Sequence, residues 1–166
     1  MIFCITGNGK GKTTSAIGMS VRMLGNGGRV FFMQFMKGKE YNEIKALKTF
    51  DGVEFHLAGR AGFIKRNAEE EDKKAARVGW DLFKEKLNED FSLYVLDELN
   101  VAMFYELLPM DEVVSVLKEA GETKDIVITG RYAAKELQDI SKMVSEINEV
   151  KHHYNEGIPA RKGIEF

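Results

Sequence analysis

Short apolar runs alternate with amphipathic stretches along the chain. Short runs rich in apolar residues predict strands, and they lie at 2–5, 29–35, 53–57, 92–96 and 126–129. Stretches with helical spacing of apolar residues lie at 12–24, 40–50, 67–87, 111–117 and 133–140. Residues 143–153 mix apolar and charged positions and predict an edge strand. The alternation predicts an α/β fold, in which helices cover both faces of a mainly parallel sheet.

Local signals indicate where several helices begin and end. Gly25 follows the last apolar position of the first helix and predicts its end. Asn67 and Glu70 have the spacing of a capping box, and Asp111 predicts the N-cap of the fourth helix. Trp80 falls on the apolar face of the long third helix, which favours a place in the core.

Residues 6–14 read T-G-N-G-K-G-K-T-T and lie between the first strand and the first helix. The string fits the phosphate-binding pattern G-x-x-x-x-G-K-[ST] except at Thr6, where the pattern has glycine. Glycines let backbone N–H groups surround phosphate oxygens, while lysine adds a charge and a hydroxyl binds Mg²⁺. The alternative is a glycine-rich turn without a ligand. The expected ATP-binding residues here are Gly7, Asn8, Gly9, Lys10, Gly11, Lys12, Thr13 and Thr14.

A second element of the site follows the strand at 92–96, where the chain continues with Asp97 and Glu98. Carboxylates at the end of an apolar strand, beside a phosphate loop, are suited to bind Mg²⁺ or Mn²⁺ together with the Thr13 hydroxyl. One acid would bind the metal while its neighbour orients water or a partner. The alternative is that both acids only begin a helix, where negative charge is also favourable.

Two arginines are candidates to bind ATP. Arg131 ends the string I-V-I-T-G-R and has the guanidinium geometry to clamp a phosphate. Arg22 lies on the helix that follows the loop. For each, the alternative is a solvent-exposed side chain. The loop at 6–14 and the turns at 97–100 and 129–131 should converge, because ligands of parallel sheets bind at the carboxyl ends of the strands.

Composition and charge restrict the class of protein. The chain has 166 residues, which favours one domain over 1–166, and its net charge of −2 argues against nucleic-acid binding through a broad basic surface. No apolar stretch approaches the length of a membrane span. The single cysteine, Cys4, excludes an internal disulfide and favours a cytoplasmic location. Its place within a strand favours a buried side chain over a nucleophile.

An ordered set of strings carries a family resemblance. The phosphate loop is followed by V-F-F-M-Q-F-M-K-G at 30–38, V-L-D-E-L-N at 95–100, I-T-G-R at 128–131, S-E-I-N-E-V-K-H at 145–152 and A-R-K-G-I-E-F at 160–166. Together they resemble the ATP:corrinoid adenosyltransferases of the phosphate-loop type, over nearly the whole chain. The loop alone is generic, whereas the ordered set is specific.

The resemblance implies transfer of the 5′-deoxyadenosyl group of ATP to the Co(I) centre of a corrinoid, with release of triphosphate, in adenosylcobalamin biosynthesis or salvage. It implies catalytic roles for Lys12 and Glu98, and an ATP that lies reversed in the loop. Because Co(I) is itself the nucleophile, the protein needs none. An external reductant, such as a reduced flavoprotein, is also implied, and a homodimer is compatible with the family. The acceptor, complete cobalamin or a precursor such as cobyrinic acid a,c-diamide, stays open.

One stretch departs from the family pattern. Family members usually carry G-F-T-W-E-T after the third strand, and this chain has G-F-I-K-R-N at 62–67. Phe63 is kept and is the expected corrinoid-binding residue, whereas Lys65 replaces the tryptophan. The departure concerns how the corrinoid is held and leaves the ATP half of the site unchanged.

Two other functions use similar parts. A small phosphate-loop kinase of a nucleoside or metabolite would need the same loop and metal, with Asp97 or Glu98 as the base, and would release ADP. A nucleotide-switched binding ATPase of the deviant-loop type has an extra lysine five residues before the loop lysine. Gly7 occupies that position, which argues against this second alternative.

Overall fold

The computed structural model describes residues 1–60 and 69–164. Six strands within these ranges form one sheet, in the order β3-β2-β4-β5-β1-β6, and every pair is parallel. The predicted α/β fold is thus confirmed. The strands are β1 (Ile2–Thr6), β2 (Val30–Phe35), β3 (Val53–Ala58), β4 (Leu93–Asp97), β5 (Ile126–Thr129) and β6 (Met143–Glu146).

The helices connect the strands across the two faces of the sheet. They are α1 (Lys12–Gly25), α2 (Asn42–Leu47), α3 (Glu70–Lys86), α4 (Leu99–Phe104), α5 (Met110–Ala120) and α6 (Lys135–Ile140). A short 3-10 helix, His153–Glu156, follows β6. α4 was not predicted as a separate element, since a helix after Asp97 and Glu98 was only the alternative to a metal-binding role for these two acids.

Several predicted boundaries are wrong. The capping box of α3 is formed by Glu69 and Asp72, each two residues beyond the predicted pair, and Asn67 lies outside the described residues. Pro109 is the N-cap of α5, so Asp111 instead places its charge in the first turn. The last strand ends at Glu146 and does not extend to 153. Only the first part of that segment pairs with β1.

Alternating side chains of the central strands face two separate cores. Phe31 and Met33 belong to one core with Trp80 of α3, while Val30 and Phe32 belong to the other. The first core also receives buried side chains from α4, α5 and α6, and the second receives them from α1 and α2. Since strand side chains alternate between faces, continuous apolar strands can fill both cores.

Buried strands fix the positions of the segments that follow them. Cys4 is fully buried in β1, as predicted, and burial raises the pKa of its thiol. Three non-glycine residues just beyond strands have a left-handed backbone conformation. They are Met36 after β2, Glu98 after β4 and Tyr132 after β5. Such strain persists only where surrounding packing enforces it, and it marks this edge of the sheet.

Within the described residues, no helix is both long and apolar enough to cross a membrane.

Candidate active site

The phosphate loop joins β1 to α1 and is packed against the chain that leaves β6. The Gly9 N–H donates a hydrogen bond of 2.7 Å to the carbonyl oxygen of Ile147. Gly7 and Gly11 have φ of 97° and 126°, which other residues rarely adopt. A Cβ atom on Gly7 would also overlap the carbonyl oxygen of Ile147. The loop therefore needs glycine at position 7 for both conformation and space.

Lys12 is the first residue of α1 and its side chain is buried within the loop. Its Nζ donates a hydrogen bond of 2.7 Å to the Gly9 carbonyl oxygen. Burial, and then the positive charge of Arg131, lower the pKa of Lys12. A bound anion would oppose both effects, because it would compensate the ammonium charge. Lys12 is thus placed where a phosphate at the N-terminus of α1 would be stabilised by both the lysine and the helix end.

Asp97 is fully buried at the end of β4 and accepts four hydrogen bonds. Thr13 Oγ1 and Thr129 Oγ1 donate to Oδ1, at 2.9 and 2.6 Å. Gln34 Nε2 and Lys37 Nζ donate to Oδ2, at 2.9 and 3.2 Å. Both carboxylate oxygens are therefore engaged by the protein itself, and Asp97 links the ends of β2 and β5 to the phosphate loop.

Glu98 differs from its neighbour in having a free carboxylate. Its backbone has φ of 60° and its N–H donates to Thr129 Oγ1 at 3.1 Å, which directs the side chain toward the loop. Among the described residues, none forms a hydrogen bond or ion pair with the carboxylate. Burial, and secondly the charge of Asp97, raise the pKa of Glu98. A cation in the pocket would stabilise the ionised Glu98 carboxylate and so oppose both effects on its pKa.

A pocket of about 520 Å³ opens between the phosphate loop and the C-terminal segment. Arg131 reaches it from the end of β5, and its Nη2 donates a hydrogen bond of 3.3 Å to the Asn8 carbonyl oxygen. The Lys10 Nζ donates to the Ile164 carbonyl oxygen at 2.8 Å and so ties the loop to the C-terminal segment. The lining residues from the predicted site are Gly9, Lys10, Gly11, Lys12, Thr13, Thr14, Glu98 and Arg131.

Four of the described residues that were predicted for the site do not line this pocket, namely Gly7, Asn8, Arg22 and Asp97. Arg22 is exposed in the last turn of α1, about 15 Å along the helix from Lys12 by the rise per residue. It does not line the pocket, since the helix leads away from the loop. Phe63, the predicted corrinoid-binding residue, lies outside the described residues, as does Lys65.

Several residues that were not predicted for the site also line or support the pocket. Lys37 lines it and Gln34 supports Asp97, and both belong to the string V-F-F-M-Q-F-M-K-G. His152, His153 and Tyr154 line it from the C-terminal side. The strings that carry the family resemblance contained most of these residues, but nothing in their spacing gave a role. Their position became evident only once β2 was placed beside β4.

The arrangement is suited to bind a polyphosphate. Four cationic side chains line the pocket together with backbone N–H groups at the start of α1. The cations are Lys10, Lys12, Lys37 and Arg131. Thr13 and Glu98 add a hydroxyl and a carboxylate, which are hard oxygen ligands of the kind that Mg²⁺ prefers. The pocket therefore combines phosphate-binding and metal-binding groups.

Comparison with known proteins identifies the relatives of this chain. The family model described as ATP:corrinoid adenosyltransferase BtuR/CobO/CobP matches residues 1–166. The corrinoid adenosyltransferase of Escherichia coli K12 is 35% identical over 167 aligned positions, which cover 100% of this chain and 85% of the relative. Corrinoid adenosyltransferase CobA of Salmonella typhimurium LT2 has the same identity and coverage.

A solved structure supports the fold assignment independently. The structure of ATPases 2 and 3 of EssC from Geobacillus thermodenitrificans superposes with a TM-score of 0.51 at 12% sequence identity. The match covers 99% of this chain and 36% of that chain. At this identity the likeness concerns the fold alone, and it agrees with the α/β fold described above.

Proposed function

This chain belongs to the ATP:corrinoid adenosyltransferase family BtuR/CobO/CobP, and we propose that its phosphate loop, Thr13 and Glu98 form the ATP-binding half of the active site. The enzyme adenosylates a corrinoid with ATP, in the biosynthesis or salvage of adenosylcobalamin. The observation that supports the proposed site is the single pocket in which Lys12, Thr13 and Glu98 meet.

The proposed reaction is a displacement at C5′ of ATP. The electron pair of Co(I) forms the cobalt–carbon bond while the C5′–O bond breaks, and triphosphate leaves with the bonding pair. No protein nucleophile and no proton transfer are required. The task of the protein is to align the two reactants and to stabilise the charge of the departing triphosphate.

The phosphate loop is assigned to the leaving group. Lys12 and the backbone N–H groups around it would donate to triphosphate oxygens, and the N-terminus of α1 adds its partial positive charge. Arg131 lines the same pocket and would add a guanidinium. These groups are held in place before ATP binds, by the contacts with Ile147 and Asn8. Preorganised donors of this kind stabilise developing charge without a reorganisation cost.

The residues present fit a magnesium or manganese ion. Glu98 and Thr13 would hold it. The two oxygens of Asp97 accept hydrogen bonds from protein donors, whereas no residue in the described part of the chain contacts the Glu98 carboxylate in this way. Thr13 donates its hydroxyl hydrogen to Asp97, which leaves oxygen lone pairs available. When bound, the ion would neutralise part of the triphosphate charge. We therefore assign Asp97, one of the two acids predicted for the metal site, to the positioning of Thr13, and Glu98 to the metal.

The corrinoid side of the site is proposed from the family resemblance. Phe63 would contact the corrin ring, and Lys65 replaces the aromatic partner usual in the family. An external reductant, such as a reduced flavoprotein, would supply Co(I), since one buried cysteine cannot act as a dithiol donor. The unpaired thiol also supports a cytoplasmic enzyme. Exposed Val150 and Ile158 in the C-terminal segment support a homodimer.

Product analysis tests the proposed function. The chain is incubated anaerobically with ATP, Mg²⁺ and chemically reduced cob(I)alamin, and both the cobalt product and the phosphate product are measured. We expect a light-sensitive cobalt–carbon product and an equal amount of triphosphate. A mixture without corrinoid is the control and should release neither ADP nor triphosphate. Formation of ADP with no cobalt–carbon product would overturn the proposal and favour the kinase.

A further inference from the structure

Lys37 is a cation of the pocket to which the proposed function gives no individual role. It follows β2, whereas the phosphate loop follows β1, and β4 and β5 lie between these two strands. The Asp97 carboxylate lies between the Lys37 ammonium and the Thr13 hydroxyl, and accepts from both. Lys37 and the loop therefore approach the acidic pair from opposite sides.

The backbone at Lys37 is held in place by two unusual features. Met36, immediately before it, has φ of 63°, in the left-handed region that is unfavourable for a residue with a side chain. Gly59, beyond β3, packs so closely that a Cβ atom there would overlap the Lys37 backbone nitrogen. The end of β2 is thus fixed by packing, and this fixes the point from which the Lys37 side chain extends.

The Lys37 side chain lies between a carboxylate and an aromatic ring. Its Nζ is 3.2 Å from Asp97 Oδ2 and 5.5 Å from the centroid of the Tyr41 ring. The side chain is only 19% exposed, and it lines the pocket beside Glu98. An ammonium has three N–H donors, and among the described residues only Asp97 accepts one of them. The remaining donors are available to a ligand in the pocket.

We infer that Lys37 is a second lysine that binds the triphosphate group of ATP, on the side of Glu98 opposite Lys12. The inference rests on the proposed function, because it requires ATP to occupy this pocket. A polyphosphate that extends from the loop past Glu98 would come within reach of Lys37, which lines the same pocket. Lys12 and Lys37, on either side of the metal-binding acid, would then share the charge of the leaving triphosphate with Arg131.

A purely structural role for Lys37 makes a different prediction. If its only task were to compensate the buried charge of Asp97, its loss would no longer matter once Asp97 is made neutral. If it contacts phosphate, the loss of affinity should persist in that background. A double-mutant cycle between the two positions separates these roles.

The experiment measures inorganic tripolyphosphate binding by calorimetry in the presence of Mg²⁺. The variants are Lys37→Met, Asp97→Asn and their combination. Lys39→Met is the matched control, because Lys39 Nζ lies at the same 5.5 Å from the Tyr41 ring but does not line the pocket. We expect Lys37→Met to weaken binding about tenfold or more, because it removes a charge-assisted hydrogen bond to phosphate. The loss should be the same in the wild-type and Asp97→Asn backgrounds. Lys37→Arg should retain most of the affinity, and Lys39→Met all of it.

The outcomes separate this inference from the proposed function. Wild-type affinity in Lys37→Met, or a loss that disappears in the Asp97→Asn background, would overturn the role of Lys37. Lys12→Ala in parallel tests the loop. If Lys12→Ala loses affinity while Lys37→Met does not, the loop assignment stands and only the inference fails. Should Lys37→Met unfold because Asp97 is left uncompensated, the combined variant decides, since its buried carboxylate is gone.

Discussion

The Thr13 hydroxyl donates a hydrogen bond of 2.9 Å to Oδ1 of Asp97 and so joins the phosphate loop to the end of β4. The two residues are 84 positions apart in the chain. Because Asp97 is buried and accepts three further donors, it holds the hydroxyl in one orientation. Its neighbour Glu98 is left to face the pocket. Adjacent acids thereby acquire different tasks.

The first prediction concerns these two acids. Both Asp97 oxygens accept hydrogen bonds, so in Asp97→Asn the amide NH₂ group must face protein donors in either orientation. We therefore expect a loss of about 1–3 kcal/mol in stability. Glu98→Gln should leave the melting temperature equal or higher, because burial raises the pKa of Glu98 and makes its charge costly in the fold. Thermal unfolding measures both effects.

Magnesium titrations of activity complete this test. Glu98→Gln should require more Mg²⁺ than wild type for half-maximal activity, since it removes a charged ligand. If Asp97→Asn shows the greater change in magnesium dependence while remaining folded, the two roles are reversed.

Lys12→Ala should abolish ATP binding and adenosyl transfer. Lys12 is buried within the loop and would make a charge-assisted contact with phosphate, worth on the order of 2–5 kcal/mol. Calorimetry with ATP measures the loss, and Lys45→Ala, an exposed lysine of α2, is the control. An ATP affinity within twofold of wild type would contradict the assignment of the loop.

Two glycine substitutions should have opposite effects. Gly7→Ala introduces a side chain at φ of 97° and against the Ile147 carbonyl oxygen, a strain of about 1–3 kcal/mol. We expect its ATP affinity to fall about tenfold or more, because the loop must distort. Gly18→Ala is the matched control, since open space surrounds Gly18 in α1, and it should stabilise the helix by about 0.5–1 kcal/mol. ATP titration and thermal unfolding of both variants measure these effects, and equal ATP affinities would show that the loop tolerates a side chain.

The fourth prediction is a pH dependence of stability that comes from Glu112. Arg77 donates two hydrogen bonds to its carboxylate, at 2.8 and 2.9 Å, and Trp80 and Lys84 each donate one more. These contacts lower the pKa of Glu112 from 4.5 to about 2, with the Arg77 hydrogen bond as the largest cause. The stabilisation is therefore complete above the unfolded pKa and is lost as the pH falls through the folded one.

Glu112→Gln should accordingly be less stable than wild type at neutral pH, by about 1 kcal/mol, and equal to it near pH 2. Urea unfolding at several pH values provides the measurement. The exposed Glu119 of the same helix gives the control, because Glu119→Gln should change stability little at any pH. The difference in unfolding free energy between wild type and Glu112→Gln should shrink below pH 4.5. If it does not, this ion-pair cluster is not its source.

The last prediction concerns Phe63 and Lys65. Phe63→Ala should raise the KM for the corrinoid, or block the use of Co(II) substrate supplied with a reductant, while ATP affinity stays unchanged. Lys65→Trp should keep activity or improve it, because it restores an aromatic surface for the corrin ring. Steady-state kinetics with Co(I), and with Co(II) plus reductant, measure both variants. Phe50→Ala, at an exposed phenylalanine, is the control. Unaltered kinetics in Phe63→Ala would mean that the corrinoid is held elsewhere.

Local order in the sequence was sufficient to determine the fold class and the phosphate loop. The strand, the glycines, Lys12 and Thr13 are neighbours in the chain, so their pattern is visible without knowledge of the tertiary structure. The same holds for the alternation of strands and helices. The ordered family strings were likewise sufficient to indicate the family, which the match over residues 1–166 confirms.

Only the tertiary structure gave the physical difference between Asp97 and Glu98, placed Arg22 away from the pocket and brought Lys37 into it. These outcomes depend on which strands are neighbours and on which way a helix leads, and neither is encoded by local spacing. The order β2-β4-β5-β1 places four hydrogen-bond donors from distant segments around one buried carboxylate. Burial then makes each unpaired charge costly, and this physical constraint gives chemically similar residues their separate roles.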